Sequence, residues 1–123
     1  MMSSHKPNII SRKSFDFAIL CINLYKYLCE EKKEYVMSKQ LLRSGTSVGA
    51  NIREAKNAES KMDFVHKLAI AQKECDETIY WLELLKSTNY IDDMIFEKIS
   101  IPANEILKIL KSIILTTKQN INS

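Results

Sequence analysis

Apolar residues in this chain recur with alternating steps of three and four in four separate stretches, and no other feature restricts its fold as strongly. In the first stretch they are Phe15, Ala18, Ile22, Tyr25 and Cys29, with Ile19 and Leu28 widening the stripe. The second runs Leu41, Gly45, Val48, Ile52 and Ala55, and the third Phe64, Leu68, Ala71, Cys75, Thr78, Leu82 and Leu85. The fourth reads Ile99, Ala103, Ile106, Leu110, Ile113 and Thr117. Such steps place every side chain of a set on one seam of a helix. Four seams with short connections predict an all-α, antiparallel up-down-up-down four-helix bundle. The expected helices cover residues 14–33, 36–58, 61–88 and 93–118 of one domain spanning 1–123, with frayed polar ends at 1–10 and 119–123. Only two glycines and two prolines occur in 123 residues, too few for the tight turns of a sheet protein.

The boundaries carry signals of their own. Ser14 or Ser11 is a candidate cap for the first helix, and Glu30 to Glu34 forms a charged connection to the second. Ser60 with Asp63 approximates a capping box for the third helix, Asn89 can end it, and Asp92 can cap the fourth. Pro102 lies inside the fourth pattern, so a kink near Lys98 or a later helix start is expected. Ile106, Leu107, Ile109, Leu110, Ile113, Ile114 and Leu115 cover most of that helix's circumference. A helix apolar nearly all round is covered on more than one side. Either the isolated bundle has a thick core, or a second copy of the chain supplies the cover.

Arg43 to Asn51 contains both glycines and three hydroxyl residues, the composition of a loop. The apolar phase nonetheless runs unbroken from Leu41 to Ile52, which predicts one continuous helix. Gly45 and Gly49 are four apart and fall on one side of it, where a neighbouring backbone can approach closely. Two further stripes follow. A polar one holds Gln40, Ser44, Ser47, Asn51 and Glu54, suited to hydrogen bonding at the bundle edge or to a ligand pocket. A basic one, nearly opposite the core, runs Lys39, Arg43, Thr46, Ala50, Arg53 and Asn57. It is either a solvated or inter-subunit face, or a surface for phosphates.

The net charge of +3 is too weak to argue for nucleic acid by itself, but its distribution is uneven. Residues 106–123 carry three bases and no acid, and 36–58 hold Lys39, Arg43, Arg53 and Lys56 against Glu54. Residues 59–105 instead hold five bases and ten acids. Two faces of opposite sign are expected. Cys21, Cys29 and Cys75 form no C-x-x-C pair and read as reduced, mostly buried hydrophobes. The longest uncharged stretches, 17–25 and 44–52, are nine residues each, far short of the ~20 that cross a membrane. The start has no secretory signal, so a cytoplasmic protein without a membrane partner is expected.

The run from Gln40 to Ala55 resembles the signature helix of the bacterial four-helix-bundle family, the 23S ribosomal RNA intervening-sequence proteins. Asp63-Phe64, Lys67-Leu68, Ile70-Ala71, Lys73-Glu74, Glu77-Thr78 and Tyr80-Trp81-Leu82 are similar to its next helix. The resemblance implies a bundle with a continuous glycine-containing second helix, assembled as a homopentamer. It also implies kinship with the accessory protein of diversity-generating retroelements, whose pentamer binds nucleic acid. Where members commonly read Asn-Ile-Ala-Glu-Gly, this chain has Asn51-Ile52-Arg53-Glu54-Ala55.

Catalytic patterns are missing. A di-metal bundle needs two Glu-x-x-His strings, whereas the nearest string is Asp63-x-x-His66 and the only other histidine is His5. No Cys or Ser is patterned with His66 as nucleophile and base. No metal, cofactor or catalytic residue is expected. The expected role is a non-enzymatic homo-oligomeric scaffold touching RNA or DNA phosphates through Lys39, Arg43, Arg53 and Lys56. Gly45, Gly49, Ser47, Asn51 and Glu54 would serve packing and the bundle edge. The alternative is a protein-protein adaptor whose basic stripe seals a subunit interface or docks an acidic partner.

Overall fold

The computed structural model describes residues 2–122, with side chains described for residues 8–121. Four helices make up the fold: α1 (Met2–Glu30), α2 (Met37–Lys56), α3 (Lys61–Ser87) and α4 (Asp93–Asn122). Met1, Ser123 and the side chain of His5 lie outside the described residues. Each helix packs on its two neighbours in a closed square, α1 on α2, α2 on α3, α3 on α4 and α4 on α1, without diagonal contact among the described residues. Gly45 of α2 faces Cys21 of α1, and Gly49 faces Ser14. Arg43 pairs with Glu77 of α3, and Glu54 with Lys67. Lys86 pairs with Asp93, Cys75 donates to the Ala103 carbonyl, and Lys13 pairs with Glu105. Numbers rise in one helix as they fall in the next, so neighbours run antiparallel.

Local chemistry explains where the helices begin and end. The Ser60 hydroxyl accepts the Asp63 amide at 3.0 Å, and the Asp92 carboxylate accepts the Ile95 amide at 2.9 Å. Asn89 takes a left-handed φ of 68° just past α3, the conformation that closes a helix C-terminus. The start of α2 uses a device absent from the expected caps. Glu34 is buried, and its two carboxylate oxygens accept the amides of Val36, Met37 and Ser38 at 3.1, 2.9 and 2.8 Å. The Ser38 hydroxyl returns a hydrogen bond to the Glu34 carbonyl at 2.8 Å. Three orphan amides at the positive end of α2 are thereby satisfied by one anion.

One expectation needs correction, and two open alternatives are narrowed. First, α1 starts at Met2 rather than near residue 14, and Ser14 lies inside it, donating to the Ser11 carbonyl at 3.1 Å. The buried seam of α1 is Ile10, Ser14, Phe17, Cys21, Leu24 and Leu28, one position away from the expected one. Phe15 and Ile19 are exposed. The reason is size: α1 crosses the two glycines of α2, and Ser14 and Cys21 fit there where Phe15 and Ile22 would not. Second, Ile106, Leu107, Leu110, Ile113 and Ile114 are all buried within one chain, because α4 packs on both α3 and α1. Most of the α4 bulk is thick core, while Ile109 is half-buried and Leu115 exposed. Third, of the kink near Lys98 or late start expected from Pro102, the late start is excluded, because α4 runs unbroken from Asp93 through Pro102.

Candidate functional site

Helix α2 is one unbroken rod through Gly45 and Gly49. A Cβ on Gly45 would stand 2.5 Å from Cys21 Sγ and 2.8 Å from its Cβ, closer than real atoms approach. At Gly49 the nearest atoms are the carbonyl and hydroxyl oxygens of Ser14, both at 3.5 Å, an ordinary contact. Gly45 therefore sets the close approach of α1, and Gly49 only permits it. On the opposite flank Thr78 of α3 donates to the Ser44 hydroxyl at 2.8 Å, both fully buried.

The polar stripe is bundle edge. Ser47 donates to the Arg43 carbonyl at 2.6 Å and Asn51 to the Ser47 carbonyl at 2.9 Å, both within their own helix. Glu54 accepts Lys67 of α3 at 2.9 Å, a hydrogen bond that raises the Lys67 pKa. Of these three residues Glu54 also lines the cleft between α1 and α2 described below.

The four cations separate. Arg43 leans to α3, where its guanidinium bonds Glu77 and approaches Glu74 at 3.3 Å. Glu77 also accepts the Trp81 indole N–H at 3.1 Å. That bond, with Arg43 second, holds the Glu77 carboxyl below the usual range. Glu77 in turn raises the Arg43 pKa. Arg43 is thus part of a cross-helix polar cluster rather than a free cation. Lys39, Arg53 and Lys56 are exposed and make no ion pair with any described residue. Arg53 and Lys56 also occupy the last turn of α2, where cations suit the negative end of the helix.

Sequence reasoning missed the groove beside them. A cleft of about 470 Å³ opens between α1 and α2, with Phe15, Ala18, Gly49 and Ala50 along it and Arg53 and Lys56 at its edge. The apolar spacing of α1 predicts Phe15 in the core, whereas it is 56% exposed. The visible signal was that two glycines and Ala50 leave little side chain to fill the space beside a phenylalanine. Cations next to an exposed aromatic ring can hold a phosphate and stack a base. Among the described residues no three His, Cys, Asp or Glu groups are placed to hold a metal ion, and His66 is exposed.

The family model of the 23S rRNA-intervening sequence protein matches residues 6–112. The chain belongs to this family. A crystal structure of a protein with unknown function from the S23 ribosomal protein family, from Bacteroides thetaiotaomicron VPI-5482, is 57% identical. It covers 89% of this chain and 97% of its own, with a TM-score of 0.88. No curated protein matches this family member significantly. Among the described residues of this 23S rRNA-intervening sequence protein, no helix is long and apolar enough to cross a membrane.

Proposed function

We propose that this chain is a non-catalytic helical scaffold of the cytoplasm that assembles with copies of itself and contacts RNA or DNA phosphates through α2. One observation carries the reading. The only carboxylate of α2, Glu54, is taken by Lys67, while Lys39, Arg53 and Lys56 have no acidic partner among the described residues. One face of α2 is therefore positive in a protein whose net charge is only +3. Several copies, five by the family resemblance, multiply that field. Phe15 beside Arg53 favours an unpaired strand over a duplex, since only an unpaired base can stack on the ring.

The test is a fluorescence titration of the full chain with single-stranded RNA, single-stranded DNA and duplex DNA over a range of salt. Binding should fall steeply with salt, with a slope of about −0.7 per neutralised phosphate on single strands. Absence of binding to all three at low salt removes the reading. Arg43 favours the adaptor alternative, because it shows a stripe cation already engaged with carboxylates across a helix boundary. An acidic protein partner bound in place of nucleic acid would establish that alternative.

A further inference from the structure

Exposed apolar side chains are distributed unevenly over the bundle. Of the eleven large ones among the described residues, seven lie on α1 and α4, two on α3 and none on α2; one of the seven, Phe15, belongs to the α1–α2 groove, which leaves six. On α4, Met94, Ile101 and Leu115 are spaced by seven and fourteen residues, which lines them up along the outer face. On α1, Ile9 and Ile19 are exposed. The Lys13–Glu105 pair fixes the register of the two helices and brings Ile19 level with Ile101. The seam between them also carries a cleft of about 180 Å³ lined by Leu20, Leu24, Tyr27, Ile95 and Ile99.

The charges around this face are mostly positive and uncompensated. Lys26, Lys98, Lys108 and Lys111 make no ion pair with a described residue, whereas Asp16 and Glu105 are already bound to Arg12 and Lys13. Glu30 and Glu97 are the unpaired acids there, two against four lysines. Two such faces would set lysine against lysine, so the face is a poor match for itself. The outer ridge of α3 has the opposite character. Tyr80 and Met62 are exposed on one line, five helical turns apart, and Tyr80 is flanked by the unpaired Asp76 and Glu83, against one lysine, Lys73. These are the remaining exposed apolar residues of the helices.

We infer that the apolar α1–α4 face of one copy packs on the Tyr80 ridge of α3 in a second copy, joining chains head to tail. This rests on the reading that the chain assembles, and adds which surfaces do it. A contact between two different patches leads to a closed ring when its rotation closes. It leaves α2 outside the contact, so the cations assigned to phosphate stay available. Assembly and ligand binding then use separate surfaces.

Two variants test the pairing. Ile19→Glu with Ile101→Glu blocks the first face, and Tyr80→Glu blocks the second; all three sites are exposed, and circular dichroism checks that the helices persist. By light scattering the parent chain should have the mass of several copies and each variant that of one. Mixed in equal amounts, the two variants should form a complex of two chains, because each retains the face that the other lacks. Variants that stay assembled overturn the pairing while the assembly reading stands. Monomeric variants that do not combine on mixing overturn the head-to-tail contact. A parent chain that is itself monomeric overturns both readings.

Discussion

Gly45 and Cys21 are packed so closely that a methyl group on the glycine would stand 2.5 Å from the thiol sulfur. The contact explains why a residue that costs about 1 kcal/mol in a helix occupies the middle of α2. Gly45→Ala should therefore destabilise the protein by about 1–3 kcal/mol through overpacking, less the gain in helix propensity. Gly49→Ala meets only ordinary contacts, and should be neutral or stabilising by up to about 1 kcal/mol. Urea denaturation of the two variants checks this. Equal effects at both positions would show that α1 and α2 do not approach most closely at Cys21.

Glu34 gives a second stability prediction. It is a buried anion whose charge is balanced by three backbone amides rather than by a cation. Glu34→Ala leaves those amides without a partner and should cost about 1–3 kcal/mol. Hydrogen exchange should show the first turn of α2 opening before the rest of the helix.

The fold was legible because three of the four seams repeat for many turns, and the in-phase Leu41 and Ile52 outweighed the loop-like composition between them. The α1 seam was not legible. Phe15 and Phe17 are both plausible core residues, and the choice depends on the small residues α2 presents, which a single helix's pattern does not contain. The Glu34 cap was hidden because its carboxylate acts two to four residues before the atoms it serves. Arg43 looked equivalent to Arg53 for a similar reason: its carboxylate partners, Glu74 and Glu77, come from α3.

Burial sets the pH response at the alkaline end. It pushes the thiols of Cys21 and Cys75 from the ordinary 9.0 up to about 12, so both stay protonated in the fold. Their contribution to stability is full below pH 9 and is lost as pH rises towards 12. Unfolding should thus become easier over that window, and Cys21→Ala should flatten the dependence. Glu77 acts in the opposite direction, since its pKa is lowered. Its contribution is present above the usual carboxylate range and disappears as pH falls through the lowered value. Thermal melts from acid to alkaline pH check both signs.

The separation of Arg43 from Arg53 and Lys56 yields the prediction that bears most on function. If α2 contacts phosphates through its free cations, Arg53→Ala and Lys56→Ala should each weaken binding and reduce the salt slope by roughly one phosphate's contribution. Neither pairs with a described carboxylate, so stability should change by less than about 0.5 kcal/mol. Arg43→Ala should behave in the reverse manner. It removes the partner of Glu77 and Glu74, costing up to about 1 kcal/mol for a half-exposed pair, and should leave the salt slope unchanged. Phe15→Ala adds a discriminating arm. Loss of a stacking surface should weaken binding to single strands by about 1–3 kcal/mol and leave any duplex binding unchanged. A slope that responds to Arg43 but not to Arg53 or Lys56 would move the contact to the α2–α3 side and leave the α1–α2 groove without a role in binding.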